Sequence, residues 1–231
     1  MGQSALLIFD VDGTLTYSAG LTRVAYDQAM QEIYGLSNAT DGVRPQGRTD
    51  PAIFRDLLQR NNLSEEGFQE QLERFMARFL DRFESLIATT DKARLHPGIR
   101  EVLAAAADHP DIFLALGTGN FQRGANLKLK VHGIDHYFPV GGFGNDHEDR
   151  TEMIRIAHRR SEQHYGKAFA LGRTWVIGDT PFDVAAGRGI GARTVAVATG
   201  DYTLEQLAES HPDLLYSDLS NTTGFIRAIL N

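Results

Sequence analysis

Short apolar runs punctuate this chain, and the strongest of them end in polar residues. Ala5-Leu-Leu-Ile-Phe9 runs straight into Asp10. Ile112-Phe-Leu-Ala-Leu116 leads into Gly117-Thr118-Gly119-Asn120, and Thr174-Trp-Val-Ile177 into Gly178-Asp179-Thr180. Thr194-Val-Ala-Val-Ala198 repeats the pattern, and Leu214-Leu-Tyr216 is a weaker copy. Continuous apolar runs of this length suit strands buried on both faces of a parallel sheet. Helical patterns lie between them. Ile99, Val102, Leu103 and Ala106 share one face, and residues 121–131 and 151–165 also have helical spacing. Residues 181–189 predict a short helix with Thr180 as N-cap and Pro181 at its first position, and 222–230 predict a closing helix. The alternation predicts an α/β fold with a doubly wound parallel sheet.

Residues 17–95 have a different rhythm, with helical periodicity and no strand pattern. Leu21, Ala25, Ala29 and Ile33 recur every four residues. Asp50-Pro51 has the look of an N-cap and first helical position, ahead of Ile53, Phe54, Leu57 and Leu58. Phe68, Leu72, Phe75, Met76, Phe79 and Phe83 form a long apolar stripe of the kind a helix packs into a core. The expected organisation is therefore a sheet domain from residues 1–16 and 96–231, with a helical subdomain at 17–95 inserted after the first strand. His96-Pro97-Gly98 marks the return to the sheet.

Composition narrows the chemistry. The chain has 231 residues, 42% hydrophobic and 23% charged, which is an ordinary globular balance. It has no cysteine, so disulfides, a cysteine nucleophile and a thiolate zinc site are excluded. The net charge is −7 and no basic run suggests a nucleic-acid face. No stretch approaches the roughly 20 apolar residues of a membrane helix. The expectation is a soluble cytoplasmic protein, monomer or homodimer, with neither nucleic acid nor membrane as partner. His132 and His136 are four apart, but Gly133 between them ends the helix, so they make no metal pair. Neither Gly-x-x-x-x-Gly-Lys-Ser/Thr nor a strand followed by Gly-x-Gly-x-x-Gly occurs.

Ligands of open α/β sheets bind beyond the carboxyl ends of the strands. Asp10 and Asp12 lie there, two residues apart. Carboxylates so placed point the same way and repel unless a cation or proton intervenes. Asp179 adds another, and such an oxygen set suits a hard cation such as Mg²⁺ better than zinc. Asp183 falls in the first turn of the 181–189 helix, where it either caps or supports the metal site from behind. Thr118-Gly119-Asn120 joins a strand to a helix, as a phosphate cradle or as a plain N-cap loop. Arg150 opens the next helix, where a cation opposes the macrodipole, so a functional reason is favoured: neutralising a phosphate and Asp10 together.

Together these segments resemble the haloacid dehalogenase superfamily, in its phosphoglycolate-phosphatase-like branch. The first motif matches at Asp10-Val-Asp12-Gly-Thr-Leu15, the second at Thr118, and the fourth at Gly178-Asp179-Thr-Pro-Phe-Asp183. The third is ordinarily a lysine. Its counterpart here is Arg150, which keeps the charge and changes the donor geometry. Lys128 and Lys130 are alternatives that sit too early, on the preceding helix. The resemblance implies a Rossmann-like core with a helical cap. It implies Asp10 as a nucleophile that forms an aspartyl-phosphate, and Asp12 as the acid that protonates the leaving alcohol and then activates water. It implies Mg²⁺ held by Asp10, the Asp12 backbone carbonyl and Asp179, with Thr118 and Arg150 on the phosphoryl group. An acid working near pH 7 would need a raised pKa at Asp12.

The implied activity is hydrolysis of a small phosphorylated metabolite, a phosphoglycolate-like or sugar phosphate monoester. Dehalogenation is disfavoured, because dehalogenases of this family lack an acid at the position of Asp12. A β-phosphoglucomutase-like phosphomutase is the alternative, since it uses the same aspartates. A non-catalytic phospho-ligand binding protein is less favoured because the acid set is complete. Arg48, Arg44 and Tyr17 are the candidates for specificity in the cap, with Arg48 placed to grip a substrate carboxylate or simply to precede a capped helix.

Overall fold

The computed structural model describes residues 4–231. Five strands form where the apolar runs lie: β1 (Ala5–Phe9), β4 (Ile112–Thr118), β6 (Thr174–Gly178), β7 (Arg193–Val197) and β8 (Leu214–Tyr216). A sixth, β5 (Gly141–Phe143), completes a parallel sheet of order β5-β4-β1-β6-β7-β8. All five residues of β1 are buried, as the apolar run requires. Ala5, Leu7 and Phe9 face one layer, with Val102 and Leu103 of α4 (Ile99–Ala107) and Phe225 of α9 (Thr222–Leu230). Leu6 and Ile8 face the other, with Met153 and Ile154 of α6 (Arg150–Tyr165) and Ala186 of α7 (Pro181–Ile190). The result is the Rossmann-like α/β architecture. A strand with both faces covered has no room for polar side chains until it ends, which places the chemistry at its carboxyl end.

Residues 17–95 hold α1 (Leu21–Tyr34), α2 (Asp50–Arg60) and α3 (Phe68–Thr89). Their shared core contains Phe54, Phe75, Phe79 and Phe83, with Phe54 and Phe75 stacked at 4.4 Å between ring centroids. The same core takes in Phe121, just ahead of α5 (Gln122–Lys130), so the insertion is packed onto the sheet domain. Two expectations for this segment need correction. It is not free of strand: β2 (Thr16–Tyr17) and β3 (Arg94–Leu95) pair antiparallel at the root of the insertion. Two-residue strands carry no periodicity to read. Asp50 is not the N-cap of α2. Thr49 caps it, accepting from the Ala52 N–H, and Asp50 is the first helical residue. No helix among the described residues is long and apolar enough to cross a membrane.

Candidate active site

β1 lies between β4 and β6, with Phe9 paired to Leu116 on one side and Ile177 on the other. Their carboxyl ends therefore bring Asp10, Thr118 and Asp179 to one edge, at the switch point of the sheet. These residues line a cavity of about 520 Å³ together with Asp12, Arg150 and residues of the helical insertion.

Oxygen atoms of Asp10, Asp179 and Asp183 lie within 4.8 Å of one another, and all three residues are buried. Burial pushes the Asp10 carboxyl up to about 6; Arg150 pulls it down, and Asp183 and Asp12 push it further up. Asp179 is also raised, by burial first and then by Asp183 and Asp10. Among the described residues, its neutral side-chain donor is the Thr14 hydroxyl, at 3.0 Å. Three crowded carboxylates with few donors are a site that lacks positive charge, and a cation with oxygen ligands would supply it. The backbone closes tightly around them. Gly13 has φ +77°, and a Cβ there would stand 2.3 Å from Asp179 Oδ2; one on Gly200 would stand 1.8 Å from the same atom. Glycine at both positions lets the chain wrap the carboxylate.

Arg150 meets Asp10 Oδ1 at 3.1 Å and donates to Asp183 Oδ1 through both Nε and Nη2. Burial opposes its charge, but Asp183 and Asp10 outweigh it and hold the guanidinium protonated. The helix-dipole mismatch noted in the sequence has this physical answer. Asp183 serves two ends at once. Its Oδ2 accepts from the Thr180 N–H and hydroxyl in a capping box, while Oδ1 faces Arg150 and the acidic cluster.

Asp12 departs from expectation. Its pKa is lowered, not raised: burial pushes up, and Lys128 with donors from Asn120 and Ser18 more than reverses it. Lys128 Nζ meets Asp12 Oδ2 at 2.5 Å, Asn120 Nδ2 donates to the same oxygen at 2.8 Å, and Ser18 Oγ donates to Oδ1 at 3.2 Å. Lys128, in the last turn of the helix that precedes Arg150, thus reaches the site. Thr118 is fully buried at the cavity. Its Oγ1 accepts from the Asn120 backbone and side-chain nitrogens. The Asn120 amide is committed to Asp12, Thr118 and Lys128. The Gly119 carbonyl accepts from the Asp50 N–H.

The three specificity candidates fare differently. Tyr17 lines the cavity beneath the guanidinium of Arg94, which stands 4.1 Å above its ring. Arg48 lines the cavity, but its guanidinium is engaged by Asp56 Oδ2 and the Ala52 carbonyl of α2, the helix that follows it. Arg44 is exposed and does not line the cavity.

Asp50 does more than open α2. Tyr26 of α1 donates to one oxygen and the Phe121 N–H to the other, so this carboxyl ties the insertion to the loop after β4. Burial raises it from 3.8 to about 6, against the pull of Lys128 and both donors. A carboxyl raised in the fold stabilises it while protonated, and that contribution fades as pH climbs from 3.8 to about 6. Asp50→Asn is expected to flatten this part of the urea-unfolding free energy plotted against pH. An unaltered slope would mean that Asp50 titrates like a free carboxyl.

Residues 7–197 match the family described as haloacid dehalogenase-like hydrolase. The chain is 27% identical over 220 residues to a phosphoglycolate phosphatase of Vibrio parahaemolyticus, covering 93% of this chain and 92% of that protein. Among solved structures it is similar to a hydrolase from Pseudomonas syringae, with TM-score 0.73 and 21% identity over 98% of this chain and 99% of the other. CbbY from Rhodobacter sphaeroides, in complex with phosphate, superposes with TM-score 0.72 at 18% identity, covering 94% and 96%. With the family match running through all the strand ends that build the cavity, the chain belongs to the haloacid dehalogenase-like hydrolases.

Proposed function

We propose that this protein is a Mg²⁺-dependent phosphatase that hydrolyses a small phosphate monoester, of the phosphoglycolate-like or sugar phosphate kind. The observation that carries the reading is the pairing of Asp10 with Arg150 beside Asp179 and Asp183, within one cavity. The curated relatives named phosphoglycolate phosphatase support it from outside. Asp10, Asp179 and the backbone at Asp12 would hold the metal, which when bound neutralises charge on the phosphoryl oxygens.

In this mechanism an Asp10 carboxylate oxygen attacks phosphorus and the bond to the alcohol oxygen breaks, leaving an aspartyl-phosphate. Arg150 keeps Asp10 ionised and faces the phosphoryl charge. Thr118 orients the phosphoryl group, since no acceptor among the described residues stands against its own hydroxyl proton. Asp12 protonates the departing oxygen, then takes a proton from the water that cleaves the acyl phosphate. Lys128 favours the carboxylate form needed in the second half. Entry of an anionic phosphate adds negative charge beside Asp12 and raises its proton affinity for the first. The helical insertion acts as the cap that covers the reacting group.

A phosphate-release screen over small phosphorylated metabolites, with and without Mg²⁺, tests this directly. Turnover that survives chelation, or conversion of β-glucose 1-phosphate to glucose 6-phosphate with little free phosphate, would overturn it. The metal has its own readout. Mg²⁺ is expected to raise the Tm at pH 7, and to do so less at pH 5, below the value of about 6 to which burial raises Asp10. Asp179→Asn should abolish that rise. An equal rise in the variant would place the metal elsewhere.

A further inference from the structure

Lys128 is a buried charge to which the reaction as described gives only the favouring of the Asp12 carboxylate. Its side chain is 1% exposed. It lies on the inner face of α5 with Ala125 and Leu129, which belong to the apolar core. An ammonium survives in such a place only when paired and hydrogen-bonded. Its partners all belong to the site. Nζ reaches Asp12 Oδ2 at 2.5 Å and donates to Asn120 Oδ1 at 2.5 Å. Asn120 in turn donates from Nδ2 to Asp12 Oδ2 and to Thr118 Oγ1, both at 2.8 Å. Two groups from one strand-to-helix segment, Lys128 and Asn120, therefore close on a single oxygen of Asp12, and Thr118 holds the Asn120 amide in turn. The other side of the ammonium faces the Phe83 ring of α3, 5.3 Å from its centroid. The Asp12 side chain remains 43% exposed, open to the cavity it lines.

We propose that Lys128 is a positioning residue: with Asn120 it fixes the Asp12 carboxyl against α5, so that its open edge stands where the alcohol oxygen departs. The proposal rests on the phosphatase reading of the site. Lys128 itself neither gains nor loses a proton in any step. It supplies orientation, and the Phe83 wall makes that orientation depend on the seating of the helical insertion.

The distinguishing readout is leaving-group dependence of kcat/KM, which reports formation of the aspartyl-phosphate. A strongly basic alkoxide needs a well-placed acid, whereas p-nitrophenolate leaves almost unaided. Lys128→Met is expected to lower kcat/KM about 100-fold on the best alkyl monoester of the screen, beginning with 2-phosphoglycolate. On p-nitrophenyl phosphate the loss should stay within about fivefold. In an Asp12→Asn background, Lys128→Met should change either rate by no more than about twofold, because the interaction is already gone. Equal losses on both substrates, or full additivity with Asp12→Asn, would overturn the proposal and make Lys128 a packing residue. If Lys128→Met does not fold, Asn120→Ala removes the second hold on the same oxygen. It should show the same leaving-group bias, and parallel losses would again overturn the proposal. Failure of the phosphatase reading looks different: the wild type releases no phosphate from either substrate.

Discussion

Asp10→Asn is expected to reduce phosphate release by about four orders of magnitude or more while leaving the fold intact. The amide is nearly the same shape, so the packing around a residue only 7% exposed is kept. It cannot attack phosphorus, and no other carboxylate stands in for it. Asp12 is held against Lys128, and Asp183 is shared between Arg150 and the Thr180 cap. Stability should move the other way from activity. Burial with Asp183 and Asp12 nearby makes the ionised Asp10 costly, so without metal at pH 7 the variant should melt at or above the wild-type Tm. Arg150 keeps Asp183 as partner, so no bare cation is left behind. Mass spectrometry of the wild type quenched during turnover should find one phosphoryl group on Asp10. A variant that keeps a tenth of wild-type kcat would remove Asp10 from the nucleophile's role.

What could be read in advance depended on how strongly position dictated residue type. β1 was legible because all five residues are buried between two helical layers, so its apolar run stops where the polar site starts. β5 was not. Its Gly141-Gly142 carries no side-chain pattern, and glycine is needed because a Cβ on Gly142 would stand 2.2 Å from the Met153 carbonyl of α6. Asp10, Asp179 and Arg150 could be named because each breaks a local rule: acids at the ends of apolar strands, a cation at a helix N-terminus. Asp50 broke none. A carboxylate in a first helical turn is what the dipole favours, so its tie to Tyr26 and Phe121 was hidden behind an adequate local reason.

Lys128 was hidden differently. Two lysines in the last turn of a helix look like ordinary dipole partners. The signal was phase. Lys128 falls between Ala125 and Leu129 on the apolar face of α5, while Lys130 points to solvent. A charge in register with core positions marks a buried ion pair or a site, and here it marks both. The pKa of Asp12 then followed from a neighbour that no spacing argument had placed. The acid–base residue is therefore set by two elements at once, the strand that carries it and the helix behind it.

The same coupling between packing and chemistry gives Phe79→Ala its expected effect, the largest on stability. Phe79 is fully buried, with ring centroids 4.5 Å from Tyr26, 5.8 Å from Phe83 and 6.2 Å from Phe121. Truncation leaves a cavity whose walls are aromatic rings too rigid to refill it, and should cost about 3–5 kcal/mol in urea unfolding. Val24→Ala on α1, at a site 42% exposed, should cost within about 0.5 kcal/mol. The damage should also reach the reaction. Phe79 touches Phe121, the Phe121 N–H holds Asp50, and Asn120 beside it helps hold Asp12. With the folded variant at low temperature, kcat/KM should therefore fall by up to about 100-fold, the scale of a misplacement of about 1 Å. The loss should be steeper on alkyl monoesters than on p-nitrophenyl phosphate, since what is disturbed is the placing of the acid. A variant destabilised to that extent but catalytically unchanged would mean that the aromatic core of the insertion and the Asp12 site are mechanically independent.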